Sequence, residues 1–386
     1  MAYRILSLDG GGTWALTQVK ALIARHKGND TIPGRQALAE FDLIAANSGG
    51  SIVLGLLLED LSLGDILAFF ENQAQRNAIF SKINPWKYMV LRALAHFAPR
   101  YSADRKLIAL RAGMPRYGNL PLSKVTSGLH GHGGEEIRVL ITSFDYDRNR
   151  AVFFRSSPSG TIDLGQGDRS DLTLAEAIHA SSDAPVMYFD GPAVWSSSTH
   201  RYWDGGIAGY NNPVMAGVVE AIVCGHAPGT IAALSIGTGS VLLAQPEQGA
   251  PPSAYRAPLD KSSPTGDLQK LSTAIVDDPP DAASFLAHVV TTGHVVRMSP
   301  LIRPMRTPAG VWGPPGSLTE QDFTFLIGIG MDAIAQDQVD AITHYADLWI
   351  GDRVPNQPIR LDGTTFACEV GYEHFSQALV AWEAII

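Results

Sequence analysis

Short continuous apolar runs along this chain alternate with longer runs whose apolar residues recur three and four positions apart. YRILSL, from Tyr3, is apolar enough for a strand buried on both faces, and WALTQVKALIARH behind it has helical spacing. The pair of patterns returns in FDLIAANS, from Phe41, and SIVLGLLLEDL, from Ser51. Further strands are predicted at IRVLITSFDY, AVFFRSS and IAALSIGTG, and helices at LTLAEAIHAS and NPVMAGVVEAIV. This alternation predicts an α/β fold, a sheet covered by helices on both faces. Over residues 246–268 the Pro, Gly and Ser content rises and periodicity is lost, which predicts a linker or long loop. Beyond it LQKLSTAIV, AASFLAHVV, FTFLIGIGMDAIAQDQVDAITHYADLWI and YEHFSQALVAWEAII read as helices. The chain thus divides into a unit of residues 1–245, the linker, and a mostly helical extension over 269–386 that packs on the first unit.

Composition narrows the chemistry. A net charge of −9 over 386 residues argues against a nucleic-acid binder, which needs a basic face. The longest apolar runs fall short of the roughly 20 residues that span a bilayer. The opening MAYRILSLDGG lacks the pattern of a secretory leader, and Cys224 and Cys368 read as reduced thiols, so a cytoplasmic location is expected. Against the acidic background, residues 80–116 hold eight Lys or Arg and one acidic residue, Asp104, with Trp86, Tyr88, Phe97 and Tyr101 interleaved. Such a stretch suits peripheral contact with a membrane, and equally a basic helix pair with solvated side chains.

Three local patterns could carry chemistry. Asp9-Gly10-Gly11-Gly12 reads as a plain turn, as the phosphate loop of an actin-like sugar kinase, or as an oxyanion hole whose amides are bare at a helix N-terminus. The run of strand, turn and helix in FDLIAANSGGSIVLGLL places Ser48 where a nucleophile elbow has its serine, although a helix N-cap would account for a lone serine there. None of the eleven histidines stands out as its base, and His179 is the one nearest other motif residues. Asp204, in RYWDGGIAGYNNPVMAG, is the better candidate, although an aspartate before two glycines commonly makes an Asx-turn.

Taken together, ILSLDGGG, FDLIAANSGGS, IRVLITSFD, AIHASSDAPVMYF, WDGGIAGYNNPVMAG and LSIGTGS, in this order over residues 3–242, resemble the patatin-like phospholipase family. The resemblance implies a three-layer α/β/α fold around a central, mainly parallel sheet, and a lipid acyl hydrolase with a Ser–Asp dyad. It makes Ser48 the nucleophile, Asp204 the base and Gly10, Gly11 and Gly12 the oxyanion hole. No metal or organic cofactor is implied, the substrate is a phospholipid or another acyl-ester lipid, and the oligomeric state is left open. A catalytically inactive lipid-binding homologue is the other reading, because the chain has Trp14 and Ala15 where the family usually carries a basic residue and a glycine, and Ala46 and Asn47 at an elbow usually written with glycine and threonine.

Overall fold

A computed structural model describes residues 2–86, 88–89, 98–157, 172–248, 253–258, 279–307 and 310–385. Seven strands form the main sheet: β1 (Tyr3–Leu8), β2 (Leu43–Ala46), β3 (Arg138–Asp145), β4 (Arg150–Arg155), β5 (Tyr202–Asp204), β6 (Ile231–Ile236) and β7 (Val295–Met298). Their order is β4-β3-β2-β1-β6-β7, with β5 also paired to β3. The pairs β3–β2, β2–β1, β1–β6 and β6–β7 are parallel, while β4 and β5 run antiparallel to β3.

Period-two alternation makes this sheet the middle of a sandwich, because successive side chains point to opposite faces. Leu6, Leu8, Ile44, Ala46, Leu234 and Ile236 enter one core, and Ile5, Leu43, Ala45, Ile231 and Ala233 enter a second. The first core is closed by α1 (Leu16–Arg25), α2 (Ser48–Leu58), α3 (Ala103–Gly113) and α4 (Leu174–Ser181), and the second by α5 (Val214–Val223) and α6 (Pro279–Val290). α7 (Gln336–Ile350) and α8 (Phe375–Ile385) complete the first core with Trp349 and Trp382, both fully buried. The α/β/α expectation holds.

The C-terminal segment is less helical than its periodicity suggests. Residues 295–298 are β7, an edge of the main sheet, and the pattern read as one helix from Phe323 is split between a helix over Glu320–Ile327 and α7. Most of the linker expected at 246–268 and the helix expected at LQKLSTAIV lie outside the described residues.

The pairing of β3 positions the site. Its edge opposite β4 is shared end to end: β2 covers Arg138–Ile141 from one direction, and β5 covers Ser143–Asp145 from the other. The C-terminal ends of β2 and β5 therefore face one another across Thr142, bringing Ser48 and Asp204 together.

Candidate active site

Ser48 occupies the sharp turn from β2 into α2 with φ of +47°, a left-handed conformation that a residue with a side chain adopts at a cost. Two glycines after it are dictated by crowding. A Cβ on Gly49 would lie 2.6 Å from the Gly12 carbonyl oxygen, and one on Gly50 2.4 Å from that of Leu8. The Ser48 amide donates to Ser181 Oγ at 3.0 Å, and the N-cap position of the helix is Asn47, not Ser48.

The Ser48 side chain adjoins the Asp204 carboxylate closely enough to favour its ionised form. Asp204 Oδ1 also accepts from the Gly206 amide at 2.8 Å and from Asn47 Nδ2 at 3.1 Å, so the Asx-turn expected of a bare Asp-Gly-Gly is made as well. Asn47 is in turn fixed by Thr142 Oγ1, which donates to its Oδ1 at 2.7 Å. Both members of the pair are buried, Ser48 at 5% and Asp204 at 6% exposure. Burial lifts the Asp204 carboxyl above its ordinary range, against the pull of Ser48, the Gly206 amide, Asn47 and the more distant Lys106 ammonium.

Behind Asp204 sits a second buried charge pair. The Asp204 amide donates to the Asp183 carbonyl at 3.1 Å, and Asp183 Oδ1 meets Lys106 Nζ at 2.7 Å with both side chains inaccessible. Burial pushes the Asp183 carboxyl up and the Lys106 ammonium down. His179 enters this arrangement only through its backbone, its carbonyl accepting from Lys106 Nζ at 3.3 Å; its two ring nitrogens have no hydrogen-bond partner among the described residues, and burial holds it far below the usual imidazole range.

The glycine loop answers the crowding seen at Gly49 from the other side. At Gly12 φ is +58°, and a Cβ there would lie 2.2 Å from the Met331 carbonyl oxygen, which also accepts the Thr13 amide at 2.9 Å. A Cβ on Gly11 would fall 2.2 Å from Thr238 Oγ1, whose hydroxyl donates to the Gly10 carbonyl at 2.6 Å. One expectation narrows here. The Gly10 amide donates to the Asn211 carbonyl at 2.8 Å, so it is not a free donor, and Gly11 and Gly12 are the amides left to serve an oxyanion.

Sequence reading missed Asn47, Thr142, Ser181 and Thr238, the polar residues that hold the pair and the loop; the LSIGTGS motif was the one local signal for Thr238. The structure adds the partners of the basic run. Arg100 pairs with Asp332, Lys106 with Asp183, Arg111 with Glu176 and Arg116 with Glu59, so half of those eight cations are neutralised within the chain. Lys87, Arg92 and Phe97 lie outside the described residues. Among the described residues no helix is long and apolar enough to cross a membrane.

The sequence model of the family described as patatin-like phospholipase matches residues 6–218. A sequence search of curated proteins finds no match. Solved structures similar to the chain include human GIVD cytosolic phospholipase A2 in complex with methyl gamma-linolenyl fluorophosphonate, at 11% identity over 100% of this chain and 59% of that one, with a TM-score of 0.41. VipD from Legionella pneumophila is similar at 9% identity over 89% of this chain and 66% of that one, TM-score 0.34. The type III effector ExoU is similar at 12% identity over 89% and 53%, TM-score 0.26. The chain thus spans less than two thirds of the length of each of these proteins.

Proposed function

The chain belongs to the patatin-like phospholipase family, and from that premise we propose that it is a serine acyl hydrolase cleaving carboxylic esters of phospholipids through Ser48 and Asp204. The observation that carries the reading is the meeting of Ser48, at a strand-to-helix turn, with the buried Asp204 carboxylate, which Asn47 Nδ2, next in the chain to Ser48, holds at 3.1 Å. Asp204 accepts the Ser48 proton as Oγ adds to the ester carbonyl. The amides of Gly11 and Gly12 stabilise the oxyanion, and the protonated Asp204 returns its proton to the departing alkoxide. Water, deprotonated by Asp204, then releases the fatty acid from Ser48. The family match leaves the kinase reading of the glycine loop without support.

The lipid surface is met, on this reading, by apolar side chains more than by the basic run. Trp86 is 74% and Met89 65% exposed, flanked by the exposed Lys82 and Arg105. Met187, also exposed, adjoins them through Arg100, whose Nε donates to the Met187 carbonyl at 3.2 Å. Aromatic and thioether side chains rimmed by cations suit the head-group layer.

Fatty-acid release from phospholipid vesicles tests both parts. Wild-type protein should release acid, whereas Ser48→Ala should be inactive and Asp204→Asn slower by about 10² or more, both folded. Trp86→Ser should weaken vesicle hydrolysis several-fold and leave a soluble short-chain ester unaffected. Binding without turnover by the wild type would instead mark an inactive lipid-binding homologue.

A further inference from the structure

We infer that Arg297 is a positioning residue of this site, holding the Asp9 carboxylate and through it the glycine loop opposite Ser48. The inference rests on the reading of Gly11 and Gly12 as oxyanion donors.

Asp9 joins three parts of the site through its backbone. Its amide donates to the Ile236 carbonyl at 3.1 Å, and its carbonyl accepts from the Gly50 amide at 3.1 Å and from Gln18 Nε2 at 2.9 Å. One residue therefore ties the start of the glycine loop to the first turn of α2, two positions beyond Ser48. Its side chain is buried, and residues 9–15 contain no cation: position 14, where the family resemblance leads one to expect a basic residue, is a buried tryptophan.

The missing positive charge comes from elsewhere in the chain. Arg297 Nη2 lies 2.6 Å from Asp9 Oδ2, with both side chains 3% exposed, and its Nη1 donates to Ser235 Oγ at 2.8 Å. Asp9 Oδ1 has no hydrogen-bond partner among the described residues, so the guanidinium is what compensates this carboxylate. Arg297 stands opposite Ser235 in the β6–β7 register, and its guanidinium reaches Asp9 by passing over Gly237, where a Cβ would lie 2.6 Å from Nη2. Asn356 fixes the approach, its Nδ2 donating to the Arg297 carbonyl at 3.1 Å and its Oδ1 accepting the Ser299 amide at 3.0 Å.

Removing the guanidinium leaves a buried carboxylate that must move toward water or take up a proton. Either response shifts Asp9, and Gly11 and Gly12 shift with it relative to Ser48. Their amides meet the substrate oxygen most strongly when it carries charge, so the loss should fall on kcat rather than KM.

Arg297→Met, Arg297→Lys and the double variant Asp9→Asn with Arg297→Met test this with a soluble short-chain ester and with hydrogen exchange of residues 9–15. In Arg297→Met, kcat should fall by about tenfold or more with KM within about twofold, and exchange over residues 9–15 should quicken. Arg297→Lys should keep most of the rate. The double variant, which has no buried charge to compensate, should recover most of what Arg297→Met loses. Wild-type kcat and exchange in a folded Arg297→Met would overturn the inference, as would a folded double variant no faster than the single one. Should Arg297→Met fail to fold, the other two variants decide; failure of all three to fold makes Arg297 a stability residue only and overturns the inference. If the wild type itself does not cleave the ester, the proposed function fails, and exchange at residues 9–15 still tests whether Arg297 holds the loop.

Discussion

Burial and hydrogen bonding pull the Asp204 carboxyl in opposite directions, and burial prevails, raising it from the ordinary 3.8. As the proposed base, Asp204 must be ionised, so activity is present above its folded pKa and lost as pH falls through it. The acid limb of kcat/KM should therefore lie above pH 3.8. Among the charges that face Asp204, the Lys106 ammonium favours the ionised form, and the Asp183 carboxyl beside it opposes that form when charged. Lys106→Met should move the acid limb to higher pH. It also leaves Asp183 buried without its partner, which should cost about 3–5 kcal/mol and lower the thermal midpoint. His179→Gln in folded protein should leave the limb in place, since no imidazole nitrogen takes part. A pH–rate profile of the two variants beside the wild type checks both signs. A limb that vanishes in His179→Gln would point to a histidine base.

Among the elements, the tightest constraint is between the glycine loop and the residues that press on it. Gly12→Ala has to relieve a 2.2 Å contact with the Met331 carbonyl at a positive φ, so the loop must move away from Ser48. Gly28 also has a positive φ, +80°, but nothing lies within 4 Å of its absent Cβ. Gly28→Ala should therefore cost about 1 kcal/mol of backbone strain with unchanged ester turnover, and Gly12→Ala should abolish turnover. Equal effects of the two in a turnover and melting comparison would show that strain alone matters at Gly12. This constraint was half legible in the sequence. Three consecutive glycines mark a place where backbone meets backbone, but not that Thr238 and Met331, both far along the chain, are what they meet. The parallel strands were legible because burial on both faces makes them continuous apolar runs. β5 was legible as a strand ending at Asp204, although three residues carry no period of their own, whereas β7 was not, because its VVRM holds an arginine, whose charge argues for solvent unless its distant partner Asp9 is known. Ser48 and Asp204 stood out through the glycines around them, whereas Asn47, Thr142 and Ser181 have no such markers.

At the scale of the whole molecule, the family match ends at residue 218, but the fold does not. β6 and β7 lie beyond the match, α6 closes the second core with Ala287, and Trp349 and Trp382 fill the first, Trp382 stacking on Phe41. The segment around Met331 is fastened onto the front of the molecule as well. Arg76 donates to the Ile334 carbonyl and to Gln336 Oε1, and Asp332 receives Arg100 at 2.7 Å and the Tyr101 hydroxyl at 2.5 Å. We propose from these contacts that residues 1–245 and 269–386 fold as one cooperative unit and not as a catalytic domain with an appendage. Deleting residues 246–386 would uncover the β6 edge, leave Asp9 without Arg297 and empty the places of two fully buried tryptophans, each worth about 3–5 kcal/mol by the usual cost of such truncations. Those losses together are as large as the whole stability of an ordinary domain, about 5–15 kcal/mol. A chain ending at residue 245 should therefore show no cooperative melting transition, while the full chain should melt in a single transition by calorimetry. A folded, ester-cleaving fragment of residues 1–245 would mean that the C-terminal segment is dispensable to the site, and would count against any essential role for Arg297.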